Sequence, residues 1–222
     1  MSLKYVIGID ESGCGALVGP LVVCAVAFAV DQPQVTVPWH GVRGDQVLRA
    51  GDSKAFKDAD KRAALEAAVR AEARACAVIE RTSAEIDARL FSVIFPEAIQ
   101  LAALRCLESL KVIDPALVAA DVVVRIDGDL ARPALPCAVE CLPGGDKLDW
   151  RIGAASLVAR TLCDRRLDAL HAEYPRWGFD RSRGYPTREH KQLLAERGPT
   201  QAHRRSFRPV RELLPQPRGI EA

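Results

Sequence analysis

The chain opens on a short apolar block, Tyr5-Val6-Ile7-Gly8-Ile9, that stops at two acids, Asp10 and Glu11. A β-branched run of this length predicts a buried strand. After a Gly-rich turn comes a second apolar run, Leu21 to Phe28, and then a connector carrying Pro33, Pro38, Gly41 and Gly44. Lys57 to Ala73 is rich in Ala, Glu, Lys and Arg and predicts a helix. Ala75 to Arg81 predicts a returning strand. Ser83 is placed to cap a helical stretch that reaches about Lys111, with an interruption near Pro96. Asp121 to Ile126 is a compact Val/Ile strand that again ends in an acid, Asp127, and Cys137 to Leu142 is a weaker strand bounded by prolines.

From Asp149 to about Tyr174 the pattern is helical. Its early turns carry small residues, Gly153-Ala154-Ala155-Ser156, which permit close packing on a sheet. Thr187 to Glu196 predicts a shorter helix, and Pro209 begins a last turn. Three early strands followed by alternating helices and strands predict an α/β fold with a mixed central sheet flanked by helices. The expected organisation is one domain over residues 1–214, with a C-terminal helical segment from about residue 175 and a flexible tail over 215–222.

Composition adds the compartment. A hydrophobic share of 49% with 27% charged residues is that of a soluble globular protein. The seven cysteines contain no Cys-x-x-Cys pair, and an odd number fits a disulfide framework poorly, so a reducing cytoplasm is expected. Neither a signal-peptide pattern nor an apolar run of roughly 18 residues is found, so no membrane partner is expected. Charge adds a partner. Residues 1–146 hold 15 basic and 20 acidic side chains, whereas residues 147–222 hold 16 and 9. From Arg176 to Arg211 there are ten Lys or Arg against three Asp or Glu, which suggests a polyanion-binding face or, equally, a solvated basic surface with no ligand.

The candidate chemistry lies at the strand ends. Asp10-Glu11 closes the first strand and Asp127 closes a later one; if those strands are neighbours, the carboxylates converge at one sheet edge. Asp164 lies on the long helix that follows. Clustered carboxylates cannot all stay ionised without a compensating cation, and hard Mg²⁺ or Mn²⁺ suits oxygen ligands. The alternative stands beside it: Asp10 and Asp127 as loop or cap residues, and Asp164 in an ion pair with Arg160 or Arg165.

The local motifs favour the first reading. Gly8-Ile9-Asp10-Glu11-Ser12-Gly13-Cys14-Gly15-Ala16-Leu17-Val18-Gly19-Pro20-Leu21-Val22 resembles the opening signature of ribonuclease HII, the type 2 ribonuclease H family. Asp52-Ser53-Lys54, Ile126-Asp127-Gly128, Gly145-Asp146-Lys147, Gly153 to Arg160 ahead of Asp164-Arg165, Gly184-Tyr185-Pro186-Thr187 with His190, and His203-Arg204-Arg205-Ser206-Phe207 follow in the family's order. The resemblance implies a ribonuclease H-like fold and a two-metal endonuclease acting on RNA–DNA hybrids and on ribonucleotides embedded in DNA. Asp10, Glu11, Asp127 and Asp164 would hold two Mg²⁺ or Mn²⁺ ions. Gly13, Cys14 and Gly15 would meet the ribose 2′-hydroxyl, Lys54 a phosphate, and Tyr185 the sugar at the cut. Arg204 and Arg205 are candidate phosphate contacts, although His203-Arg204-Arg205 could equally tie the C-terminal segment down through hydrogen bonds, and His190 is read as structural or peripheral. The chain is expected to act as a monomer.

Two residues depart from the family pattern, the milder being Pro186 where a Gly is usual after Tyr185. The family's first loop reads Gly-Arg-Gly, and here Cys14 stands at the centre, supplying neither charge nor a forked donor. Weaker binding or an altered junction preference is expected. Two other readings follow: a hybrid-binding protein that cuts poorly, or an enzyme like ribonuclease HIII.

Overall fold

In the computed structural model the described residues are 3–34, 36–37, 46–47, 59–129 and 132–215. Asp52-Ser53-Lys54 and residues 216–222 of the expected tail lie outside them. The first strands are β1 (Tyr5–Ser12) and β2 (Leu21–Ala29), followed by a ribbon of β3 (Thr36–Val37) and β4 (Gln46–Val47). Next come helix α1 (Ala59–Glu72), strand β5 (Ala75–Arg81), and helices α2 (Ser83–Arg89) and α3 (Phe91–Ile113). Strands β6 (Val122–Asp127) and β7 (Ala138–Leu142) complete the sheet. Helices α4 (Gly145–Leu148), α5 (Trp150–Glu173), α6 (Phe179–Ser182), α7 (Arg188–Arg197) and α8 (Arg208–Arg211) finish the chain.

The main sheet is mixed, in the order β5-β2-β1-β6-β7. β1 pairs antiparallel with β2 and parallel with β6, so it lies at the centre. Each face has its own core, and the pleat assigns the residues. Ile7, Ile9, Val23 and Ala25 face α3, where Ile94, Ala98 and Ala102 are buried. Val22, Cys24, Val26 and Phe28 face the other way, onto Ala154, Ala155 and Val158 of α5 and Leu65 and Val69 of α1. None of the seven cysteines forms a disulfide. Among the described residues, no single helix is long and apolar enough to cross a membrane.

Two local expectations are corrected. The cap of α2 is Thr82, not Ser83. The Thr82 side chain accepts from the Glu85 N–H while the Glu85 carboxylate accepts from the Thr82 N–H, a reciprocal capping box. Ser83 instead donates its hydroxyl to the carbonyl of Ala202, at 2.7 Å. Nor does Pro96 interrupt its helix: α3 runs through it. It sits in the second turn, where a missing N–H forgoes one bond near the helix start. The break falls at Leu90, whose φ of 68° turns the chain by 116° between α2 and α3.

Candidate active site

Parallel pairing of β1 and β6 brings Ile9 level with Ile126, so Asp10 and Asp127, one residue further on, leave the sheet at the same edge. Asp10 is 5% exposed. Its Oδ1 accepts the Glu11 N–H at 2.7 Å, and its carboxylate also accepts from Ser156 on α5. Burial, then the neighbouring charges of Glu11 and Asp127, hold the Asp10 carboxyl well above the ordinary range. Glu11 is raised for the same leading reason, although the Cys14 thiol donates to its Oε1 at 3.3 Å and offsets part of the shift. Asp127 accepts the Gly145 N–H at 2.6 Å. Three carboxylates therefore repel one another at the rim of a dry core. Among the described residues, no Lys or Arg forms an ion pair with any of them.

Asp164, about two turns along α5 from Ser156, lines the same cleft as Glu11, Cys14, Ser156, Arg183 and Tyr185. It is not bare. Arg62 of α1 reaches its Oδ2 at 3.1 Å, Arg183 lies 3.8 Å from Oδ1, and Arg160 lies 4.0 Å from Oδ2. Arg165, the other ion-pair partner considered from sequence, is bonded to Glu66 instead. Among the described residues, no three His, Cys, Asp or Glu side chains stand ready to hold one metal ion as they are. The donor chemistry still fits a hard divalent cation. Asp10, Glu11 and Asp127 are all oxygen donors, burial holds the carboxyls of Asp10 and Glu11 up, and a cation would relieve the repulsion.

The opposite wall of the cleft is the turn after β1. Gly13 has φ of 91°, and a Cβ there would lie 2.5 Å from the Pro20 carbonyl, so only glycine fits. Gly15 faces the Tyr185 ring, which a Cβ would meet at 3.6 Å, an ordinary contact. Tyr185 is 45% exposed, an aromatic ring held at the mouth of the cleft. Burial, reinforced by the Glu11 charge, pushes the Cys14 thiol far up, so it acts as a neutral donor.

Of the two readings of Arg204, the phosphate contact is corrected and the tie for the C-terminal segment is what the structure shows. Arg204 is fully buried, and its guanidinium donates from Nη1 to the Cys14 carbonyl at 3.2 Å and from Nε and Nη2 to the Gly19 carbonyl at 3.1 and 3.0 Å. A group so enclosed offers nothing to a phosphate; it holds the loop. Arg205 is exposed. Lys54 lies outside the described residues. The sequence reading missed Arg62 and Arg183. Arg183 adjoins the Gly184-Tyr185 motif and was within reach of motif reading, but nothing in the sequence links Arg62 to Asp164.

The chain is similar to known proteins over nearly its whole length. The family profile described as Ribonuclease HII matches residues 7–210. The protein named Ribonuclease HII from Xylella fastidiosa (strain M12) is 38% identical over 217 residues, covering 98% of this chain and 82% of that protein. Its namesake from Chromohalobacter salexigens is 37% identical over 206 residues, covering 92% and 90%. Among solved structures, the ribonuclease H2 from Pyrococcus horikoshii OT3 matches with a TM-score of 0.66 at 19% identity, over 94% of this chain and 96% of that one. Bst-RNase HIII in complex with Mn²⁺ matches with a TM-score of 0.68 at 19% identity, over 96% and 70%. Those two likenesses establish the ribonuclease H-like fold. With a profile spanning nearly its whole length and relatives above a third identical, the chain belongs to the ribonuclease HII family of ribonuclease H enzymes.

Proposed function

We propose that the chain hydrolyses the RNA strand of RNA–DNA hybrids and cuts on the 5′ side of ribonucleotides embedded in duplex DNA, leaving a 3′-hydroxyl and a 5′-phosphate. One observation carries this reading. The carboxylates of β1 and β6 meet at one sheet edge, beside a cleft whose walls are Asp164 and Tyr185. Asp10, Glu11 and Asp127 would hold two Mg²⁺ or Mn²⁺ ions, and Asp164 would join them by giving up its Arg62 partner. A structural neighbour carries Mn²⁺. When bound, such ions supply an activated water and charge stabilisation for the leaving oxygen.

The chain's own groups do the rest. The backbone of Gly13, Cys14 and Gly15 meets the 2′-hydroxyl, the group that separates RNA from DNA. The Tyr185 ring packs on the sugar at the junction. Lys54, Arg160, Arg183 and Arg205 take phosphates, and binding therefore weakens as salt rises, through counterion release. The protein acts as a monomer in the cytoplasm, on misincorporated ribonucleotides and RNA primers.

The test is a labelled duplex with one embedded ribonucleotide, incubated with Mg²⁺, Mn²⁺ or EDTA. A single metal-dependent cut 5′ of the ribonucleotide is expected, and Asp10→Asn should reduce it to background. Binding without cutting would favour the hybrid-binding reading, to which the Arg62–Asp164 pair and Cys14 lend weight. A need for longer RNA runs would favour an activity like that of ribonuclease HIII.

A further inference from the structure

His203 and Arg204 are adjacent in the chain and serve two neighbouring walls of the cleft, the Tyr185 turn and the first loop. The segment is pinned by a bridge between His203 and Val18 and by the Arg204 N–H on the Leu17 carbonyl, at 2.8 Å. From there Arg204 reaches the Cys14 carbonyl. His203 reaches the other way. Its ring, 1% exposed, places Nε2 at 3.1 Å from Nε2 of His190, which is fully buried. His190 in turn places Nδ1 at 2.9 Å from the backbone carbonyl of Tyr185.

The ends of this chain are fixed by backbone groups whose roles cannot change. The Thr200 N–H, 3.0 Å from His203 Nδ1, can only donate. His203 Nδ1 is thus an acceptor, and its ring proton sits on Nε2. That proton is donated to His190 Nε2, which leaves the His190 proton on Nδ1. There it meets the Tyr185 carbonyl, which can only accept. The direction runs one way from Thr200 to Tyr185. Both rings stay neutral, because burial lowers both pKa values, that of His203 to about 3. Trp177 and Phe179 pack around the pair, with the Trp177 ring centroid 4.7 Å from His203 and that of Phe179 5.5 Å from His190.

Tyr185 needs such support. It follows Arg183 and Gly184, two residues in the left-handed region with φ of 48° and 76°. A Cβ at Gly184 would stand 2.7 Å from the Val18 carbonyl, and the Gly184 carbonyl accepts from Leu17 N–H at 2.7 Å. The turn is pressed against the first loop, and its far side is set by His190.

We propose that His203 and His190 form a relay of fixed proton direction that positions Tyr185, so that the dipeptide His203-Arg204 sets the spacing between the two substrate-reading walls. Both histidines are positioning residues rather than catalytic ones, and the inference rests on the reading of Tyr185 as a sugar contact. The experiment is a double-mutant cycle on the single-ribonucleotide duplex. His190→Gln keeps an acceptor for His203 and loses the donor to Tyr185; His190→Asn keeps that donor. His190→Gln should lower kcat/KM per folded molecule about tenfold. His190→Asn should restore most of the loss. In a Tyr185→Ala background, His190→Gln should change kcat/KM by less than about twofold.

Equal factors in both backgrounds would overturn the relay while leaving the cleft reading intact. A Tyr185→Ala enzyme as active as the parent would overturn the cleft reading and the relay together. A second measurement needs no substitution. Long-range ¹H–¹⁵N spectra of the unaltered protein, which has four histidines, should show His203 protonated on Nε2 and His190 on Nδ1. The reverse tautomers, or an imidazolium in either ring at neutral pH, would also overturn the relay.

Discussion

At position 14 a thiol donates to Glu11 where the family pattern places an arginine. The loop backbone is held regardless, because Arg204 fixes the Cys14 carbonyl from behind. The side chain at this position is therefore free to tune substrate affinity without moving the loop. Cys14→Arg should lower KM about fivefold, roughly 1 kcal/mol for one partly screened phosphate contact, with kcat nearly unchanged. Steady-state kinetics on the embedded-ribonucleotide duplex checks this, and an unchanged KM would mean that the backbone alone carries recognition. The acids at 10, 11 and 127 were legible because a buried strand ending in charge is unusual. The ion pair of Asp164 with Arg62 was not, because it joins helices distant in sequence.

Among the elements, β1 and α5 determine where the site sits. The even residues of β1 face α5, and at Gly8 the two backbones touch: a Cβ there would stand 2.3 Å from the Arg151 carbonyl oxygen and 2.6 Å from the Ile152 nitrogen. The small residues Ala154, Ala155 and Ala159 continue this close approach, and the same approach brings Ser156 to Asp10. Gly8→Ala must push strand and helix apart, and overpacking of this kind should cost about 3 kcal/mol. Urea unfolding would show it as a lower midpoint at unchanged slope, with cleavage falling because Ser156 moves off Asp10. The run Gly153-Ala154-Ala155-Ser156 announced close packing in the sequence, and the structure shows its partners to be β1 and β2. Helix boundaries were less legible. Thr82 and Ser83 are both good caps by residue type, and Glu85, three residues after Thr82, selects Thr82 through the capping box and leaves the Ser83 hydroxyl for Ala202.

Across the whole molecule, the C-terminal segment returns to close the site, and its attachment makes stability depend on pH. His203 has a folded pKa of about 3 against an ordinary value of 6.5. The unfolded chain therefore takes up the proton first, so the contribution is complete above about 6.5 and is lost as pH falls below it. Near pH 5 the loss from His203 should be about 2 kcal/mol, with His190, lowered in the same direction, adding to it. Urea unfolding at pH 7.5 and pH 5 measures the difference. The raised carboxyls of Asp10 and Glu11 act in the opposite sense but are common to parent and variant, so His203→Gln should lose about 2 kcal/mol less than the parent between pH 7.5 and pH 5, whatever it costs in absolute stability.

Local patterns in the chain determined the strands and helices, the α/β class, the acids at the strand ends and the family, because hydrophobic period and short motifs are properties of neighbouring residues. Tertiary structure alone decided what each polar group is bonded to. Arg204, read from sequence as a phosphate contact or a tie for the C-terminal segment, is enclosed by carbonyls; Asp164, read as a metal ligand or a member of an ion pair, faces Arg62; and His190, read as structural or peripheral, lies between His203 and Tyr185. A side chain's partner is chosen by the folding of distant segments onto one another, and a guanidinium or imidazole reads the same in sequence whether it faces solvent, substrate or core.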